Sequence, residues 1–181
     1  MTVFAFFSLT PLTAILLTAA PFLSAANGAN AKDLTVEVPA AFNPDTLSIF
    51  RLVSATGVQI YACARNPAGA TGWVFKRPAA QLLDPQGTSV GNHYAGPTWE
   101  DVDGGKVVGA VKRSLLAPVD KDIPWLLLDI KSREGSGAFT QAHAIVRMKT
   151  TGGIAPGDGC DEGHAGHEVS VSYTAIYVFL K

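Results

Sequence analysis

Hydrophobic and polar residues alternate along most of the chain after residue 32, with the two-residue period of β-strands that bury one face. The alternation is clearest near the end of the chain, where it runs without interruption through residues 169–174. The apolar run IPWLLLDIKS, residues 123–132, fits a strand that is buried on both faces. This pattern predicts strands almost throughout, and no helix longer than about two turns.

Turn signals separate these strands. Residues 47–62 alternate on either side of residues 55–57, Ala-Thr-Gly, which predicts a hairpin with its turn there. Pro78 is expected to end the following strand. Turns are predicted at residues 84–87, Asp-Pro-Gln-Gly, and at residues 103–105, Asp-Gly-Gly. Residues 138–150 fit a strand or a helix by period, and their β-branched residues and flanking glycines favour a strand.

The fold class follows from the number and spacing of these strands. We predict one all-β domain over residues 32–181, an antiparallel sandwich or flattened barrel of about 8–10 strands with little helix. The 18 glycines and 11 prolines suit such a turn-rich fold, and 181 residues are enough for one domain with a substantial core.

The first 31 residues differ from the rest because they carry no charge before Lys32 and contain a long apolar run. They are predicted to be a signal peptide, since small residues fit cleavage after Ala26 or Ala31. The alternative is a transmembrane anchor, but the prolines and the short leucine-rich centre favour cleavage. The mature protein is then expected to be periplasmic or extracellular, with no stable membrane span.

Charge and cysteine content narrow the partners and the chemistry. With 14 basic and 15 acidic residues the chain has no basic field for nucleic acid, so we expect no nucleic-acid partner. The two cysteines, Cys63 and Cys160, survive in the predicted mature chain. In an oxidising compartment an even number of cysteines indicates a disulfide, and we predict that these two pair.

Several phrases in the chain, read together, resemble one family. They include TGVQIYACA, WVFKRPAAQLLD, GNHYAGPTWE, IPWLLL and VRMKTTGGIAPGDGC. In order and density they are similar to the exported bacterial and fungal proteins catalogued as domain of unknown function 3455. The resemblance runs from about residue 38 to residue 179. It implies an exported protein whose biochemical role is not established.

Some members of that family carry a dehydrogenase label, which the residues of this chain argue against. A dinucleotide site needs strands alternating with helices and a G-x-G-x-x-G turn at the start of a helix. After Gly135 and Gly137 the third glycine position is Thr140. After Gly157 and Gly159 it is Glu162. We therefore expect no dinucleotide-dependent dehydrogenase.

The segment GCDEGHAGHEV, residues 159–169, is a candidate metal site. His164, His167 and Asp161 could bind zinc or copper, with a histidine from elsewhere in the chain. If Cys160 forms a disulfide, its sulfur leaves the set of ligands, and no second tight ligand pair is present. The alternative is a polar loop held by the disulfide, with no cofactor, and the sequence favours it.

The segment NHYAGPTWE, residues 92–100, is a candidate binding loop. Its candidate residues are two flat aromatic side chains, an imidazole and a carboxylate: His93, Tyr94, Trp99 and Glu100. Aromatic faces beside a few placed polar groups are typical of small-molecule or carbohydrate sites. A secreted hydrolase using Glu100 or His93 as its acid–base group is an alternative.

Together these observations favour an exported binding or structural module that is not an enzyme and has no cofactor. Its partner would be a small molecule, a glycan or a protein. The first alternative is a periplasmic metal-binding protein that uses His164 and His167. The second is the secreted hydrolase that uses Glu100 or His93.

Overall fold

The fold is an antiparallel sheet of eight strands that closes into a barrel. The computed structural model describes residues 1–2, 36–42 and 46–181, so the predicted signal peptide and its cleavage sites lie outside the described residues. The strands are β1 (Ile49–Arg65), β2 (Thr71–Leu83), β3 (Ser89–Tyr94), β4 (Thr98–Asp101), β5 (Lys106–Leu115), β6 (Trp125–Glu134), β7 (Ala144–Gly152) and β8 (Glu168–Leu180). Three short 3₁₀ helices occupy Ala40–Phe42, Ala138–Gln141 and Glu162–His164.

Each strand pairs with the next along the chain, and β8 pairs with β1 to close the barrel. The prediction of an all-β antiparallel fold with little helix is confirmed. Of the two architectures left open by the sequence, the closed sheet corresponds to the barrel. No helix within the described ranges is long and apolar enough to cross a membrane.

The alternation along the strands sorts side chains between the barrel interior and its outer face. On β8, Tyr173, Ala175, Tyr177 and Phe179 belong to the inner core, whereas Val178 and Leu180 belong to a second apolar cluster. That second cluster lies on the outer face and includes Phe42, which precedes β1. The strand regions are therefore apolar on both sides at this part of the barrel.

Two strands are longer than the sequence predicted. β1 runs without a turn through residues 55–57, so the predicted hairpin there is wrong. A Cβ on Gly57 would lie 2.1 Å from the Ala79 carbonyl oxygen, so this glycine allows β1 and β2 to approach closely rather than to turn. β2 also continues past Pro78, because residues 71–79 pair only with β1 and a proline is tolerated on an unpaired edge.

Residues 138–141 were predicted to be strand and instead form a 3₁₀ helix. The cause is the buried carboxylate of Asp101, which accepts hydrogen bonds from the Phe139 backbone N–H (2.9 Å) and from the Gly105 backbone N–H (2.9 Å). A Cβ on Gly137 would collide with this carboxylate. The acid therefore ties the β4–β5 turn to the segment before β7, whose strand begins only at Ala144.

The predicted disulfide between Cys63 and Cys160 is present and is confirmed, with the two Cα atoms 5.3 Å apart. It joins β1 to the loop between β7 and β8. Two backbone hydrogen bonds support the same contact, from Cys63 N–H to the His167 carbonyl and from Gly166 N–H to the Cys63 carbonyl, each 2.8 Å. The loop is thus held to β1 by backbone hydrogen bonds as well as by the disulfide.

Candidate functional site

A cavity of about 310 Å³ lies inside the barrel and opens between β2 and β5. The opening exists because the β3–β4 hairpin is short. β2 pairs with β3 only from Ala80 onward, and β4 pairs with β5 only as far as Val108. The remaining edges of β2 and β5 have no strand between them among the described residues, and the hairpin tip at residues 95–97 forms the lower rim.

The side chains on the rim of the opening are apolar apart from the cation Lys76. Phe75 is half exposed there and packs edge-on against Tyr61, with the ring centroids 5.6 Å apart. Val111 of β5 is also exposed on the rim, and Lys76 lies beside Phe75. A large apolar side chain left exposed beside a cavity is more informative than one exposed singly on a surface.

His93 of β3 is buried deep in the cavity wall. It stacks on Trp99 with the ring centroids 4.3 Å apart, and its edge meets Tyr177 at 5.1 Å. Its Nδ1 lies 2.8 Å from the Thr98 carbonyl oxygen, which can only accept, so Nδ1 carries the proton. Burial lowers the pKa of His93 from 6.5 to about 3, so the ring is neutral at pH 7 and Nε2 is an acceptor.

Two buried donors on the cavity wall have no hydrogen-bond partner in the described structure: Gln59 Nε2 and Trp99 Nε1. Both side chains are almost fully buried, at 2 % and 1 % exposure. Gly109 makes room for the Trp99 ring, since a Cβ there would lie 3.0 Å from it. Unpaired buried donors cost about 1–3 kcal/mol each, and both nitrogen atoms are covered by protein, so a ligand in the cavity would reach them only after the side chains turn toward it.

Arg147 of β7 is the only arginine among the described residues of the cavity wall. Its Nε and Nη2 both donate to the Pro124 carbonyl, at 3.1 and 2.8 Å, which leaves its remaining N–H groups to the Tyr177 hydroxyl and to a further acceptor. Among the described residues no carboxylate forms an ion pair with it. The guanidinium is therefore a half-buried cation without a counter-charge.

Two tyrosines of β8 complete the interior polar groups. The hydroxyls of Tyr173 and Tyr177 lie 3.5 Å apart. Burial raises the pKa of both tyrosines, while the positive charge of Arg147 acts in the opposite direction. Both phenols are therefore protonated at neutral pH and offer donors rather than charges.

The predicted binding loop is divided by the alternation of its strands. His93 and Trp99 point into the barrel, whereas Tyr94 and Glu100 lie on the outer face, where Tyr94 donates a 2.7 Å hydrogen bond to Glu100. Glu100 also lies 3.6 Å from the ammonium of Lys106. The structure thus brings His93 and Trp99 to the cavity and places Glu100 on the opposite face of the sheet from His93.

The residues of the predicted metal site lie in the exposed loop beside the disulfide. Asp161 accepts from the Gly163 backbone N–H and lies 2.8 Å from His164 Nδ1, while the rings of His164 and His167 are 5.4 Å apart. The hydrogen bond with His164 holds the pKa of Asp161 below its usual value. Within the described ranges, no group of three or more His, Cys, Asp or Glu is arranged to hold a metal ion.

Sequence reasoning missed most of the cavity wall, including Gln59, Arg147 and Tyr177. A signal for two of them was present. Gln59 stands in the run GVQIY and Arg147 in the run AIVRM, each a polar residue among apolar strand neighbours. A polar side chain at an inward position of a strand is costly unless something inside the barrel pairs with it.

Comparisons with known proteins bear on the family. No curated protein and no solved structure matches the chain. The model of one family, described as a protein of unknown function (DUF3455), matches residues 44–181, which span every strand of the barrel. This chain therefore belongs to the DUF3455 family.

Proposed function

We propose that the protein is an exported binding module that takes a small molecule into the barrel interior and does no chemistry on it. The observation that carries this proposal is the cavity itself: about 310 Å³, open on one side, and lined by apolar side chains with a few polar groups. Small-molecule sites have volumes of roughly 300–1,000 Å³ and this mixed lining. Eight-stranded barrels are also just wide enough to hold one small ligand.

The polar groups of the cavity support binding over catalysis. The His93 ring is held by a backbone carbonyl on one side and by the Trp99 stack on its face. The protonated phenols of Tyr173 and Tyr177 are poor bases at neutral pH. The carboxylate that a hydrolase would need, Glu100, lies on the outer face of the sheet.

Export is supported by the apolar first segment and by the Cys63–Cys160 disulfide, since disulfides persist mainly outside the cytosol. The intact mass of the protein recovered from its host tests this. Export predicts a chain that starts after Ala26 or Ala31 and is two hydrogens lighter than its reduced form. A chain that still begins at residue 1 and has two free thiols contradicts export.

Binding in the cavity predicts that a small neutral ring compound enters it. We expect indole to shift the amide and side-chain signals of Gln59, Trp99 and Tyr177 saturably in ¹⁵N–¹H spectra. Val111→Trp places a bulky ring on the rim and is expected to weaken indole binding roughly tenfold or more. The measurement is an NMR titration of both proteins, and the spectrum of each protein without indole shows that it is folded.

The matched control is Val119→Trp, because Val119 is exposed to a similar degree (53 % against 56 % for Val111) but does not line the cavity. It should bind indole as the unmodified protein does. Shifts confined to surface residues, or equal weakening by both tryptophan variants, would contradict binding inside the barrel.

A further inference from the structure

The charge of the cavity wall is one-sided. Arg147 and Lys76 both line the cavity, and no aspartate or glutamate stands among its described lining residues. Arg147 is half-buried without an ion-pair partner, which is costly unless a counter-charge arrives from elsewhere. Its charge also acts on the titratable groups around it. Burial has the larger effect and raises the pKa of Tyr61, Tyr173 and Tyr177, whereas the charge of Arg147 lowers it. For His93, burial and the charge of Arg147 both lower the pKa.

The hydrogen-bonding capacity of Arg147 has the same preference. Its Nε and Nη2 donate to the Pro124 carbonyl, and the guanidinium has further N–H groups beyond these two. An uncompensated cation with further N–H donors suits a ligand that carries oxygen acceptors and a negative charge. A cationic ligand would meet repulsion from Arg147.

The remaining surface of the cavity selects for a flat apolar body. The stacked His93 and Trp99 rings and the edge of Tyr177 form one wall, while Leu126 and Leu128 form another. A volume of about 310 Å³ lies at the small end of the range for ligand sites and admits a molecule of one or two rings.

We propose that the ligand is a small aromatic anion, a one- or two-ring molecule bearing a carboxylate or phosphate group, whose anion binds Arg147 while Lys76 attracts it at the opening. Its rings lie against the His93–Trp99 wall. This inference rests on the proposed function, because it assigns a ligand class to the same cavity.

A matched series of naphthalene compounds tests the charge preference. Isothermal titration calorimetry would compare two anions, 2-naphthoate and 2-naphthyl phosphate, with the neutral 2-naphthamide and with the cation 2-naphthylmethylammonium. We expect at least one anion to bind more tightly than the amide by a factor of about ten or more, and the cation to bind most weakly. Whichever anion binds more tightly identifies the group as carboxylate or phosphate.

Arg147→Gln is expected to abolish the preference for the anion over the amide, because it removes the positive charge that distinguishes the two compounds. Lys76→Gln removes an exposed charge at the opening and serves as a second variant if Arg147→Gln does not fold. It should reduce both the preference for the anion over the amide and the salt dependence of that preference. Lys131→Gln is the control, since Lys131 is exposed on β6 and does not line the cavity.

Each outcome separates the two proposals. If the amide or the cation binds as tightly as the anions and shifts cavity signals, the ligand class is wrong while binding in the cavity stands. If none of these compounds nor indole shifts the signals of Gln59, Trp99 and Tyr177, both proposals are wrong. An anion preference that Lys131→Gln reduces as much as Lys76→Gln and Arg147→Gln would place the effect on the general surface charge and overturn the assignment to Arg147.

Discussion

Replacing both cysteines, as Cys63→Ala with Cys160→Ala, is expected to lower the free energy of unfolding by about 2–5 kcal/mol. The disulfide closes a loop of 97 residues in sequence, and the unfolded chain regains the entropy of that loop when the bond is absent. Alanine at Cys63 keeps the site apolar, but it removes a sulfur from a position that is only 1 % exposed, so a small loss of packing adds to the effect. Urea unfolding of both proteins at pH 7 measures the difference.

The disulfide effect has an internal control. A reductant should lower the stability of the unmodified protein toward that of the double variant and should leave the variant unchanged. Indole binding should persist in the variant, because the loop that carries Cys160 does not line the cavity. Equal stability of the two proteins, within about 0.5 kcal/mol, would show that the backbone hydrogen bonds of His167 and Gly166 alone hold the loop.

The sequence predicted the fold class well because the strand period is a local property. Several strands carry their own alternation, as β8 does, and the turn at residues 84–88 carries its own Asp-Pro signal, with the Asp84 side chain accepting from the Thr88 backbone N–H. The disulfide was predictable for a different reason, since only two cysteines exist and they have one way to pair.

The errors arose where a distant contact decides the local structure. Gly57 reads as a turn residue, but its role depends on the approach of β2, which lies more than 20 residues further along the chain. Residues 138–141 read as strand, but the carboxylate of Asp101 folds them into a 3₁₀ helix. Such contacts have no signature in the segment itself.

Only part of the candidate site was predicted, because the rest of it also depends on contacts between distant segments. The aromatic and imidazole groups of residues 92–100 cluster in sequence, which drew attention to His93 and Trp99. Their partners Gln59, Arg147 and Tyr177 come from β1, β7 and β8, and only closure of the barrel brings them to one cavity. His93 pairs with Trp99 across the hairpin, so these two side chains share a face, and Glu100, the next residue, lies on the opposite face because side chains alternate along a strand.

His93 is expected to make stability depend on pH between 7 and 5. The unfolded chain has an ordinary histidine pKa near 6.5, whereas in the folded protein burial lowers the pKa of His93 to about 3. Between these values the unfolded state binds a proton that the folded state does not, so stability falls as the pH falls. Lowering the pH from 7 to 5 should therefore cost about 2 kcal/mol from this one residue.

The measurement is urea unfolding at pH 7 and pH 5 for the unmodified protein and for His93→Gln. Glutamine does not titrate and can still donate to the Thr98 carbonyl, so the variant should lose most of this pH dependence even if it is less stable at pH 7. His143→Gln, which removes an exposed histidine, is the matched control and should retain it. If His93→Gln keeps the full loss between pH 7 and 5, then His93 is not held neutral in the wall of the cavity, and its Nε2 is not an acceptor there.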